Sequence, residues 1–226
     1  MEIRFHNVSK KYRRADNEIW GLKECSFTIP TASKVLISGA NGSGKSTLLS
    51  LAGTIIHPTT GRIYCDETEI SGLSEPFRSR FRQKNFGFHF QGESLLPGLT
   101  ILENLTLASL PVISDHRKNI ERIEQLLEEL RVGVKMNARI EQLSGGQKQK
   151  VSLARALIND PPIIFADEPT NHLDEDSAAE IRNLLCNLQE KTVIIISHDP
   201  VFAAEFSFEQ RIFLQEGKVR IAGGNR

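Results

Sequence analysis

The sequence predicts an α/β fold with a mostly parallel central sheet, an N-terminal antiparallel β layer and an inserted helical subdomain. Three short apolar runs carry that prediction: Lys34-Val-Leu-Ile-Ser38, Ile163-Ile-Phe-Ala166 and Thr192-Val-Ile-Ile-Ile196. Each is strand-sized, rich in β-branched residues and apolar without alternation, the pattern of central parallel strands covered on both faces. Each also ends in polar chemistry, at Gly39, at Asp167-Glu168 and at Ser197-His198. Ligands of such sheets gather at the carboxyl ends of the strands.

The remaining elements follow in order. The first thirty or so residues read as short strands with turns, as do residues 61–70, and Pro58-Thr-Thr-Gly61 reads as a turn between a helix and a strand. Residues 115–131 read as a helix, with Ile120, Ile123, Leu126, Leu127 and Leu130 forming one apolar stripe. A further helix is expected from Lys148 to Leu157. With 226 residues the chain suits a single domain. Its core and β layer take about 1–93 and 151–226, and the helical subdomain about 94–150; the tail from Gly223 frays.

Composition narrows the classes of function. The 28 basic and 28 acidic residues cancel, so no long-range field draws the chain to nucleic acid or to anionic lipid. Cys25, Cys65 and Cys186 are odd in number and form no CxxC pair, which suits packed thiols in a reducing compartment. The amino terminus lacks a secretory pattern, and no run approaches the ~20 apolar residues that span a bilayer. Work at a membrane therefore requires another polypeptide to supply the spanning helices.

The chemistry begins with Gly39, Ala40, Asn41, Gly42, Ser43, Gly44, Lys45 and Ser46, continuing to Thr47. This phosphate-loop pattern follows a strand and opens a helix, the context that separates it from a bare Gly-rich turn. Backbone N–H groups there cradle phosphates, Lys45 sets a charge against the β- and γ-phosphates, and Ser46 offers a hydroxyl to Mg²⁺. The expected fold is that of a P-loop NTPase, with ATP and Mg²⁺ as ligands. Paired with the loop, Asp167 would hold hydrated Mg²⁺ and Glu168 would polarise the attacking water. An imidazole at His198 can hydrogen-bond the γ-phosphate and position Glu168. The other histidines show no metal-ligand spacing.

Leu143-Ser144-Gly145-Gly146-Gln147 precedes the helix at Lys148. Ser144 and the two glycines put a hydroxyl and open N–H groups at a helix N-terminus, a second anion site unless the turn merely caps its helix. One phosphate loop cannot fill two such sites at this distance. A head-to-tail pair, each Leu143–Gln147 run facing the partner's ATP, resolves this.

These motifs, in this order, resemble those of ABC ATPases over residues 3–220. The resemblance implies that Gln91 reaches Mg²⁺ and the attacking water, that Tyr12 stacks on adenine, and that His198 is the switch histidine. It further implies that Asp174, in Asn171-His-Leu-Asp174, organises signalling across a dimer seam. Residues 90–104 look like the lipoprotein-release and macrolide- or peptide-export type. An ATPase subunit is thus expected: a homodimer with ATP at its interface, cytoplasmic, and peripheral on the inner face of the cell membrane through a membrane-spanning partner. Two departures stand out. Lys150 replaces a common Arg, and Asn171-His172 also resembles soluble ribosome-associated members, so a soluble ABC-type regulator is the alternative. Those members carry two ATPase domains in tandem, whereas this chain has one.

Overall fold

A computed structural model of the chain describes residues 1–14, 17–90, 95–113 and 115–223. Two sheets stack. An antiparallel sheet in the order β2-β1-β4-β5 comprises β1 (Ile3–Arg14), β2 (Asn17–Ile29), β4 (Thr60–Cys65) and β5 (Thr68–Glu69). The central sheet runs β10-β9-β3-β8-β7-β6. Its members are β3 (Lys34–Ser38), β6 (Phe86–His89), β7 (Ile163–Asp167), β8 (Thr192–Ile196), β9 (Gln210–Gln215) and β10 (Lys218–Gly223). All its pairings are parallel except β10 with β9. The helices are α1 (Lys45–Ala52), α2 (Glu75–Asn85), α3 (Ile101–Ser109), α4 (His116–Glu129), α5 (Gly145–Leu157), α6 (Glu175–Cys186) and α7 (Pro200–Glu205).

Side-chain alternation on the parallel strands divides the interior in two. Val35, Ile37, Ile163, Phe165, Ile194 and Ile196 face α1 and the antiparallel sheet. Leu36, Ile164, Ala166, Val193 and Ile195 face α3 to α7. Because both faces are covered, the strands carry no polar residue in alternation, which is why they read as unbroken apolar runs. The β layer does alternate: Cys25, Phe27 and Ile29 point inward on β2, and Phe27 stacks on Phe5 of β1 with ring centroids 4.6 Å apart.

Two expectations need correction. The first thirty residues form two long strands, because β1 and β2 pair over nearly their whole length. Gly61 lies within β4, where the β1 register slips between His6 and Ser9. A β-carbon on Gly61 would sit 2.2 Å from the Asn7 carbonyl oxygen, and its φ is +84°, so the bulge requires glycine. α2 has no apolar stripe to announce it; Arg78 is its one buried residue. The helix read over 115–131 is α4, capped by Asp115, whose carboxylate accepts the Arg117 and Lys118 N–H groups. Ile123, Leu126, Leu127 and Leu130 are buried as expected, while Ile120 is half-buried.

Candidate active site

The loop from Gly39 to Gly44 joins the carboxyl end of β3 to α1. Gly44 caps α1 at φ +109°, and a β-carbon there would lie 2.2 Å from the Gly21 carbonyl oxygen of β2. Only glycine lets the loop pass that close. Gly217 N–H donates to the Ser43 carbonyl at 3.0 Å, tying the loop to the β9–β10 turn. Lys45 is buried, and its Nζ donates to the Gly39 and Ala40 carbonyls at 2.8 and 3.1 Å. Its charge is thereby held inside the loop.

A cleft of ≈ 330 Å³ opens in front of this loop. Asn41, Gly42, Gly44, Lys45, Ser46 and Thr47 form its floor, and Asp167, Glu168 and His198 one wall. Burial, followed by the adjoining Glu168 charge, raises the Asp167 carboxyl above the usual range, against the opposing pull of Lys45 and the Ser46 hydroxyl.

Glu168 is buried and takes a left-handed backbone, φ +48°. A residue with a side chain resists that conformation, typically by ~1 kcal/mol or more, and needs its neighbours to hold it. They do: Glu168 N–H donates to the Ile196 carbonyl at 2.8 Å, and the Glu168 carbonyl accepts Asn171 N–H at 3.2 Å. The twist turns the carboxylate toward His198. His198 N–H donates to Glu168 Oε2 at 3.2 Å, and the imidazole Nε2 lies 3.6 Å from Oε1. β7 and β8 thus deliver a buried carboxylate and an exposed imidazole side by side.

The opposite wall comes from the β1–β2 hairpin. Tyr12 is exposed, with its hydroxyl 3.3 Å from Thr47 Oγ1 and Lys10 Nζ 5.4 Å from its ring centroid. Ile19, Trp20 and Gly21 complete that wall. Ile19 and Gly21 carry no motif; the β1–β2 register, which sets Ile19 opposite Tyr12, brings them in.

Ser144, Gly145, Gly146, Gln147 and Asp174 do not line this cleft. Ser144 caps α5 in a reciprocal pair: Gln147 N–H donates to Ser144 Oγ at 3.3 Å, and Ser144 N–H to Gln147 Oε1 at 2.9 Å. The helix therefore starts at Gly145, ahead of the expected Lys148. Asp174 caps α6, accepting Ser177 N–H at 2.9 Å and the Ser177 hydroxyl at 3.0 Å; these bonds hold its carboxyl below the usual range. Gly146 abuts Ser177, and Gly145 lies near Leu173. Residues 144–147 and 171–174 therefore form a second cluster. Lys150 belongs to the scaffold: its Nζ donates to the Arg131 carbonyl and pairs with Glu180 of α6. Gln91 lies outside the described residues.

Comparison with known proteins agrees with this geometry. A family model described as ABC transporter matches residues 22–171. The chain is 39% identical to "Uncharacterized ABC transporter ATP-binding protein MJ0796" of Methanocaldococcus jannaschii, over 96% of this chain and 94% of that one. It is 38% identical to "Lipoprotein-releasing system ATP-binding protein LolD" of Treponema pallidum, over 94% of each. "Macrolide export ATP-binding/permease protein MacB" of Salmonella typhimurium is 37% identical over 94% of this chain, which spans 33% of that longer protein. Among solved structures, "Dimeric structure of a post-hydrolysis state of the ATP-binding cassette MJ0796 bound to ADP and Pi" superposes with a TM-score of 0.89 at 35% identity, covering 98% of both chains. The protein belongs to the ABC transporter family and is an ATP-binding, ATP-hydrolysing subunit of that family.

Proposed function

We propose that two copies of this chain close head to tail over ATP and drive export or membrane extraction through a separate membrane-spanning protein. The observation that carries this reading is the separation of two half-sites. Lys45, Asp167, Glu168 and His198 line one cleft, while Ser144 to Gln147 and Asp174 sit in another cluster of the same chain. A second copy, turned head to tail, brings each cluster to the other's cleft. The dimeric form of the M. jannaschii relative supports this arrangement.

Within each cleft, Tyr12 stacks on adenine, while the N–H groups from Gly39 to Gly44, with Ser46 and Thr47, grip the phosphates. Ser144, Gly145, Gly146 and Gln147 of the second copy cover the γ-phosphate, and Asp174 relays the seam. Mg²⁺ fits the donor set. Asp167 and Glu168 crowd two carboxylates together, Ser46 adds a hydroxyl, and no group of three His, Cys, Asp or Glu among the described residues makes a closed metal cage. A magnesium ion held by Ser46, Asp167 and Gln91 would complete its shell with phosphate oxygens and water. Bound there, it would supply positive charge against the phosphates. Glu168 takes the proton from the attacking water, and His198 holds Glu168 and the γ-phosphate in line.

No helix among the described residues is long and apolar enough to cross a membrane. The likeness to the lipoprotein-releasing and macrolide-export proteins supports a membrane-spanning partner, with the chain cytoplasmic and peripheral on the inner face of the cell membrane. A groove of ≈ 310 Å³ between α2, β6, α3 and α5 offers that partner a seat.

Glu168→Gln tests the reading. Turnover should fall ~100-fold or more, and ATP should hold the variant as a dimer on size exclusion. A variant that stays monomeric with ATP, or that hydrolyses at the unsubstituted rate, sinks the mechanism. Recovery of the chain with ribosomes instead of a membrane protein sinks the transport assignment.

A further inference from the structure

Arg182 lies on the inward face of α6 among Ala178, Ile181 and Leu185, and is 3% exposed. Its guanidinium reaches two carboxylates in different segments. Nη1 donates to Asp199 Oδ2 at 2.7 Å, and Nη2 bonds Glu175 Oε1. Glu175 and Arg182 stand two turns apart on one helix face. Asp199 Oδ2 also accepts the Thr170 hydroxyl at 3.1 Å, while Oδ1 caps α7 through Val201 N–H at 2.9 Å. Glu175 directly follows Asp174, Asp199 directly follows His198, and Thr170 is two residues past Glu168.

We propose that Arg182 is a positioning residue that ties the seam loop, residues 171–174, to His198. The inference rests on the reading of Glu168 and His198 as the hydrolytic pair. The guanidinium joins the start of α6, next to the seam loop, to the β8–α7 turn behind His198. The Asp199 arm is buried, with side-chain exposures of 4% for Arg182 and 16% for Asp199, whereas Glu175 is 76% exposed. The inner arm therefore fixes the backbone behind His198. The outer arm meets solvent beside Asp174, where a second copy would bear on the loop. Force on the seam passes through Glu175 and the planar guanidinium to Asp199, and so to the imidazole. A buried ion pair seldom gains stability over an apolar packing of equal volume; this one sets the relative position of α6 and the β8–α7 turn. Arginine suits the task because its fork engages two acceptors at once, which an ammonium cannot do in the same geometry.

The test uses the full chain with ATP. Arg182→Met should lower kcat about tenfold and leave KM within about threefold, because the Lys45 cleft is untouched. Arg182→Lys should recover part of the loss. Arg182→Met strands the Asp199 carboxylate and can cost folding, so Arg182→Met/Asp199→Asn is measured beside it; asparagine keeps the α7 cap and removes the charge. That pair should fold and stay slow. Glu175→Gln should slow kcat a few-fold and add nothing to Arg182→Met, since both cut one connection. Unsubstituted kcat in the Arg182→Met/Asp199→Asn pair, or additive losses in the Glu175 cycle, overturns the proposal. The Glu168→Gln control keeps the two readings apart. Turnover persisting in that variant sinks the hydrolytic assignment, while the Glu175 cycle still decides whether Arg182 acts as a link.

Discussion

Gly146 and Ser177 touch: a β-carbon on Gly146 would lie 2.7 Å from the Ser177 hydroxyl oxygen. That hydroxyl in turn donates to Asp174 at 3.0 Å. The start of α5 thereby packs on the start of α6 through one serine. Gly146→Ala should gain up to about 1 kcal/mol in helix propensity and lose about 1–3 kcal/mol to overpacking. The net effect is a lower Tm with the Asp174–Ser177 bond disturbed. Adding Ser177→Ala removes the clashing oxygen and should restore most of the loss. A Gly146→Ala chain as stable as the unsubstituted one shows that the two helices slide past each other freely.

Ser144 caps α5 and is proposed to face the partner's nucleotide, and one substitution separates the two. As a cap it is worth about 1 kcal/mol, which Ser144→Ala should cost. Aspartate caps a helix as well as serine does, so Ser144→Asp should keep the Tm. It also places a negative charge where the partner's γ-phosphate would sit. In a Glu168→Gln chain it should abolish the ATP-dependent dimer seen by size exclusion; a dimer that survives places Ser144 away from the second nucleotide.

The phosphate loop's glycines should differ in consequence. Gly42 has φ +75° and open space where a β-carbon would go, so Gly42→Ala should cost about 1–2 kcal/mol of backbone strain and little else. Gly44→Ala adds a clash with the Gly21 carbonyl oxygen to its strain and should cost several kcal/mol, on the order of 3 or more. Thermal unfolding and fluorescent-ATP titration read both effects. Equal losses from the two substitutions contradict the close passage of the loop against β2.

His89 predicts a pH dependence of stability. Burial, followed by the Arg155 charge, drives its pKa down to about 4, and its Nδ1 lies 3.0 Å from Ser152 Oγ. A folded pKa below the unfolded value means that the unfolded chain binds the proton more readily. Stability tied to neutral His89 is therefore present above pH 6.5 and is lost as pH falls toward 4. The loss is on the order of 3 kcal/mol. Denaturant titrations across this window should show a shallower fall in His89→Val than in the unsubstituted chain; parallel curves rule the contribution out.

Lys45, Asp167, Glu168 and His198 were legible because each follows an apolar run, and parallel strands bring their carboxyl ends to one edge. The β layer's strand lengths were not legible, since they depend on pairing between distant residues. α2 escaped because its apolar contact with the core rests on Phe81 alone, too little for a stripe. Ser144 to Gln147 could be recognised from spacing, yet whether they share a cleft with Lys45 is a question about distances that no spacing answers.

Local pattern alone therefore determined three central strands and the phosphate loop between one of them and its helix, because strand burial and loop conformation leave their mark residue by residue. Tertiary structure decided which groups meet. It brought Ile19 and Gly21 to Tyr12 by strand register, seated Ser177 against Gly146, and joined Arg182 to Asp199 across segments that sequence keeps 17 residues apart. Such contacts depend on how elements pack, and a side chain's own neighbours in sequence do not encode the surface it will be pressed against.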